Sequence, residues 1–516
     1  MAPSAIIIGA GPSGISMAHK MKHELGFNDF IIYEKMDGVG GTWRANDYPG
    51  CGCDVHSHLY SFSFNLNPNW SKQLAEQGEI LEYIEDTVDK FQLRPHINLS
   101  VECLGAQWHK AEGQWHVKLR DLQTDITFVR QATIFISAVG GISIPRDVSF
   151  SIRFPLTKYK AVIGSGCSAA QVIPALAERA ASVTQYARSP QWYHARPNRR
   201  FTGFEKFCFR YLPGLMRLHR WNIFWDIDKQ SYTYRGTKVG VEQRLKEEET
   251  ARRYIFEQAP KKYHDILVPT FELGCKRKIA DPGYLVTLHR DNVELIPEGI
   301  QKITEDGIVS SSGRHDQYDM IVMATGFKVT EFLTPMTIVG ADGNTLDQQW
   351  KESRGAQAYL GTFVHNFPNM AIIFGPNTFP ANNSALYACE VQVSYAAEAL
   401  VKPLIDGQAS VIEVKEAVEN YTTNQIHQKL KSSVFSGDCS NWYIGDFGRN
   451  VASWPGLAIE FWIATLFPDK NAFVKSGGSR SWLSKGLVRN VRQYGGMAAI
   501  VAAASTLPVY YSWMKY

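Results

Sequence analysis

Ala5-Ile6-Ile7-Ile8-Gly9-Ala10-Gly11-Pro12-Ser13-Gly14 decides how this chain is read. Four apolar residues without a charge suit a buried parallel strand, and the glycines that follow have separate tasks. Gly9 permits a tight turn, Gly11 lets backbone N–H groups approach a pyrophosphate, and Gly14 lets the next helix pack closely. A second apolar strand, Phe30 to Tyr33, ends in Glu34, twenty positions after Gly14, where a carboxylate can accept from ribose hydroxyls.

The pattern recurs at Gly164-x-Gly166-x-x-Ala169, after the apolar Ala161 to Ile163. Two such loops about one domain apart, each between a strand and a helix, imply two dinucleotides on one polypeptide. The second unit differs in charge: its next strand, about Ser182 to Tyr186, runs into Ala187 and Arg188. A cation there suits the 2′-phosphate of NADPH, which an acid would repel.

The bulk numbers exclude several classes. A chain of 516 residues accommodates two to four domains, and 45% apolar with 20% charged residues is ordinary globular composition. A dispersed net charge of +4 gives no nucleic-acid stripe. The cysteines lack metal-ligand spacing, Cys51-x-Cys53 being their one close pair, which favours a reduced state over a disulfide framework. His56 and His58 lack the company of a metal site, so they either line the loop near the first unit or lie exposed, and no metal is expected. MAPSAIII runs straight into the first strand, leaving no room for a secretory leader. A cytoplasmic protein is expected, with membrane association open through the C-terminal tail, where Arg480, Lys485, Arg489 and Arg492 precede an apolar run from Met497 to Trp513 broken by Pro508.

The expected fold class is α/β, two Rossmann-like dinucleotide-binding domains with a helical insertion. A first domain takes residues 1–145 and 328–480, a second takes 157–327, and 481–516 form a basic and apolar tail. Helix Gly78 to Phe91 and strands Gln114 to Leu119, Thr133 to Ser137 and Met320 to Met323 complete the outline. The insertion, about 201–263, carries helical periodicity and many aromatics, among them Phe204, Phe207, Phe209, Tyr211, Trp221, Phe224 and Trp225. These read as core sooner than as a membrane surface.

Gly40-Gly41-Thr42-Trp43, Tyr48-Pro49-Gly50, Cys53-Asp54, Tyr60 and Ser63-Phe64 form a string that resembles the class B flavoprotein monooxygenases, above all the Baeyer-Villiger type. Gly274-Cys275-Lys276-Arg277, with Asp281 and Tyr284, resembles the same family. So do Asp319-x-Ile321-Val322-x-Ala324-Thr325-Gly326-Phe327 and Pro368-Asn369 with Gly375-Pro376. The likeness spans about residues 5 to 400 and is fungal in character. It implies a glutathione-reductase-like architecture in which Gly9, Gly11, Gly14, Glu34, Gly41, Thr42, Trp43, Asp54 and Tyr60 hold FAD. Gly164, Gly166, Ala169, Arg188, Lys276, Ala324, Thr325 and Gly326 would hold NADPH. It further implies a catalytic Arg277 fixed by Asp54, its permanent charge supporting a C4a-peroxyflavin anion that attacks a ketone to give an ester or lactone. The partners implied are a small hydrophobic substrate, plausibly of secondary metabolism, and O2, with no reading of oligomeric state.

One departure stands out. The family carries an F-x-G-x-x-x-H-T-x-x-W fingerprint between its two domains, and here residues 140–164 read GGISIPRDVSFSIRFPLTKYKAVIG, shorter and without His or Trp. Two alternatives keep the fold: oxygenation of a soft nitrogen or sulfur, and an impaired flavin-binding relative. A disulfide reductase fits poorly, because its cysteine pair would stand where the chain has Trp43.

Overall fold

The computed structural model describes residues 2–146, 158–380, 382–436 and 441–478. The C-terminal tail 481–516 and residues 147–157 of the interdomain interval lie outside the described residues.

Two parallel sheets organise the molecule. The first runs Met370–Ile372, Ile134–Ser137, Ala5–Ile8, Phe30–Tyr33, Ile97–Asn98, with Ile7 paired to both Ile32 and Ile136. Those isoleucines are buried on one face and Ile6, Ile8, Tyr33 and Phe135 on the other, so the sheet is covered on both, as an uncharged strand requires. The strand Met370–Ile372 reaches this sheet only after the chain has crossed the second unit.

The second sheet runs Val293–Ile296, Ser182–Tyr186, Tyr159–Ile163, Met320–Met323, all parallel. A third, Thr337–Val339, Val101–His109, Gln114–Asp121, Thr127–Ala132, packs Trp108 and Trp115 against Phe135 of the first. Phe30–Tyr33, Ser182–Tyr186 and Met320–Met323 fall on the residues expected from sequence, and helix Gln77–Lys90 starts one residue early.

The insertion is helical, with Gly203–Tyr211, Leu215–Asp228 and Lys238–Gln258 as its main helices. Its aromatics do not all enter the core. Phe224 is buried, and Phe209, Trp221 and Trp225 pack partly buried against the core, but Phe204, Phe207 and Tyr211 are exposed. Helical periodicity marks a face without saying whether anything covers it, which is why the expected core assignment fails for this first helix.

Cys51, Cys53, Cys103, Cys167, Cys208 and Cys389 are free, whereas Cys275 is disulfide-bonded. No described helix is long and apolar enough to cross a membrane.

Candidate active site

The first glycine loop is built by close backbone approach. Gly9 has φ +104°, and a Cβ on Gly14 would lie 1.9 Å from the Gly9 carbonyl oxygen, so the helix Pro12–His19 can start only from glycine. Gly41, at φ +56°, presses on the same loop: its Cβ would meet Gly11 Cα at 2.7 Å. Beside this contact opens a cleft with about 150 Å³ of free space, lined by Gly9, Gly11, Glu34, Gly41, Thr42 and Tyr60 among others. Glu34 is buried, its carboxylate accepting from Ala10 N at 2.7 Å and Met36 N at 3.0 Å. Two backbone donors leave part of its acceptor capacity on the cleft side. Trp43 sits behind the wall, its indole N–H donating to the Tyr60 hydroxyl at 3.1 Å.

These residues fit FAD: free N–H groups at a helix start suit a pyrophosphate, the buried acid suits a ribose, and the cleft suits a long ligand.

The second loop repeats the geometry with more room. Gly164 has φ +131° and packs on Ala324, whose carbonyl oxygen would lie 2.3 Å from an added Cβ. Ala169 is buried at the start of the helix Cys167–Ala177. Arg188 is exposed just past Ser182–Tyr186. Lys276 Nζ donates to Ser189 Oγ at 3.1 Å and lies 4.8 Å over the Phe271 ring. Burial, and then the nearby Arg188 charge, push the Lys276 ammonium below the usual lysine range. Two cations converging without an anion between them are what a 2′-phosphate would satisfy, so this site fits NADPH. Thr325 and the exposed Gly326 stand where the chain crosses between units, Gly326 O accepting from Arg146 N at 3.0 Å.

Between the units stands an ion pair. Arg277 donates to Asp54 Oδ2 from Nη2 at 2.8 Å and from Nε at 3.1 Å, the side chains remaining 20% and 29% exposed. The Phe379 ring lies 5.6 Å from the guanidinium carbon. Burial opposes both charges, yet each partner overrides it: Asp54 is held below the usual carboxylate range and Arg277 above its own. Gly274, φ +99°, makes the turn that delivers Lys276 and Arg277, since a Cβ there would strike the Tyr234 ring at 2.2 Å.

Asp54 reaches the seam because its segment is docked on the second unit. Tyr48 donates to Gln171 Oε1 at 2.8 Å, Gln171 donates back to Gly52 O at 2.9 Å, and Gly50 abuts the Gln171 carbonyl. Arg196 donates to Cys53 O at 2.8 Å, and its charge helps keep Asp54 ionised. Burial pushes His194 down to about 4. Neither Arg196 nor His194 was singled out from sequence; they lie in the basic run 194–200, whose approach to Asp54 is a long-range contact that no motif announces.

One histidine expectation is corrected. His58 is neither exposed nor part of the cleft wall: it is buried among Phe201, Phe209 and His219, and burial pushes it down to about 3. His109, Glu112 and His116 gather at a hairpin, a cluster missed because it depends on strand register. The two rings stack at 3.6 Å and 17°, and the Glu112 carboxylate accepts from His116 Nε2 at 2.8 Å.

Residues 7–77 match the model of the NAD(P)-binding Rossmann-like domain. The chain is 34% identical to a Baeyer-Villiger monooxygenase of Pseudomonas aeruginosa, over 90% of each chain. It is 32% identical to another of Streptomyces coelicolor, over 88% of this chain and 89% of that one. The FAD-binding monooxygenase ktnD of Aspergillus niger is 30% identical, over 89% of this chain and 79% of that one. Among solved structures, the closed form of cyclohexanone monooxygenase superposes with a TM-score of 0.80 at 23% identity, covering 92% of this chain and 99% of that one.

Proposed function

This chain belongs to the Baeyer-Villiger monooxygenases, FAD- and NADPH-dependent enzymes, and from that premise we propose that it inserts oxygen beside the carbonyl of a hydrophobic ketone, yielding an ester or lactone. The observation that carries this reading is the Arg277–Asp54 pair, which joins the segment after Trp43 to the second unit.

FAD, reduced by NADPH, supplies the oxygen-activating chemistry. The chain's own residues do the rest. Gly9, Gly11 and the start of the helix Pro12–His19 offer N–H groups to one pyrophosphate, and Glu34 accepts from its ribose. Lys276 and Arg188 neutralise the 2′-phosphate of the second dinucleotide. Arg277 holds a positive charge that no accessible pH removes, so negative charge developing on an attacking oxygen is stabilised throughout the reaction. Asp54 fixes the plane of that guanidinium, and Arg196 keeps Asp54 charged. Oxygenation of a soft nitrogen or sulfur through a neutral hydroperoxide needs no such fixed cation, which is why the ketone reading is preferred.

The test is a ketone panel with purified protein, NADPH and labelled O2. One label atom in an ester or lactone, formed in step with NADPH loss, supports the assignment. NADPH loss that ignores every ketone and gives only peroxide overturns it.

A further inference from the structure

The helical hairpin of the insertion presents an apolar tip that no described residue covers. Phe204 is 76% exposed, Phe207 56%, Tyr211 59%, Leu212 51% and Leu218 53%. Phe204, Phe207 and Tyr211 recur at i, i+3 and i+7, one stripe of the helix Gly203–Tyr211, and the Phe207 and Tyr211 rings touch at 4.8 Å between centroids. Leu212 and Leu218 extend the stripe across the turn into the next helix. Single exposed apolar residues are ordinary, but five on one short hairpin mark an interaction surface.

Charge selects the partner. Lys206, Arg210 and Arg217 border the tip, and none has a carboxylate partner among the described ion pairs. The hairpin's acid, Glu205, is already neutralised by Arg199, which donates to it at 2.6 and 3.0 Å. A second copy of the same hairpin would set these cations against their own images, whereas an anionic lipid surface would complement them.

The underside is rigidly mounted. Arg220 donates to the carbonyls of His58 and Ser61, the latter at 2.9 Å, and Phe209 packs on His58 at 4.6 Å between centroids. Burying the tip in a bilayer interface therefore needs no rearrangement of the protein.

We propose that the hairpin from Thr202 to Trp221 docks on the surface of an anionic lipid bilayer, Phe204, Phe207 and Tyr211 entering the headgroup–acyl boundary and Lys206, Arg210 and Arg217 facing the headgroups. A nine-residue helix is far too short to cross, so the mode is interfacial.

The test is flotation of the full-length protein with vesicles of phosphatidylcholine alone or with phosphatidylserine. The wild type is expected to float with the phosphatidylserine vesicles and to be released by salt. F204S/F207S/Y211S is expected to lose on the order of tenfold or more of that affinity. K206Q/R217Q is expected to bind both vesicle types equally weakly. Retained flavin and an unchanged urea midpoint show that each variant is folded, and either variant alone suffices. The proposal is overturned if the wild type ignores phosphatidylserine vesicles. It is overturned too if both variants float like the wild type, which would move the binding to another segment. A concentration-dependent dimer in light scattering that F204S/F207S/Y211S abolishes would assign the tip to a second copy instead.

Discussion

The two phosphate loops have the same backbone and opposite surroundings. In the first, the third small position must be Gly14, which a methyl would drive to 1.9 Å from the Gly9 oxygen, and the following strand ends in an acid. In the second that position is Ala169, with its methyl already buried, and the strand runs on to Arg188. In the proposed reading the loop supplies a general cradle for pyrophosphate, and the charge gathered at the end of the next strand selects the ribose it accepts. A fold used twice thus carries two non-interchangeable cofactors.

The sharpest way to break this contrast is at the third position. Gly14→Ala should abolish flavin retention and cost about 3 kcal/mol or more of stability, while Ala169→Gly should cost only about 1 kcal/mol. Flavin absorbance after gel filtration and urea midpoints measure both, and equal effects would show the loops to be equivalent. Next comes the group they share. Arg277→Ala should lower ester formation by roughly 10²–10³-fold with flavin still bound, seen by product assay beside an absorbance spectrum.

Smaller effects sharpen the cofactor contrast. Removing Arg188 or Lys276 should raise the KM for NADPH about tenfold each and leave that for NADH unchanged. An acid at the first position would be expected to discriminate the other way, so Arg188→Glu should push the preference towards NADH. The least effect is a pH dependence. Lys276 titrates below the usual lysine range, so as pH rises through that lowered value it loses its charge and the KM for NADPH climbs while that for NADH stays flat. Phosphate binding favours the protonated form, and calorimetry in two alkaline buffers should register proton uptake with NADPH alone.

Much of the arrangement was legible because it is local. Ala5–Ile8 with its glycines and Phe30–Tyr33 with Glu34 need only neighbouring residues to declare themselves, and the same holds for the second unit. The meeting of Asp54 with Arg277, 223 positions apart, was reachable only through family resemblance. Arg196 and His194 stayed invisible because their roles arise where two units touch. The exposure of Phe204 and Phe207 was misread for a related reason: an amphipathic stripe records a preference for cover, and whether the rest of the chain provides it is decided in three dimensions.

The late arrival of Met370–Ile372 in the first sheet has a consequence for biosynthesis. On a ribosome, Tyr159 to Met323 can complete its own parallel sheet while Ile134–Ser137, paired with Ala5–Ile8, still lacks its outer neighbour. Phe374, Ala385 and Cys389, which wall the large cleft, emerge later still. The unit translated first therefore matures last, and loading with flavin must wait until most of the polypeptide has been made.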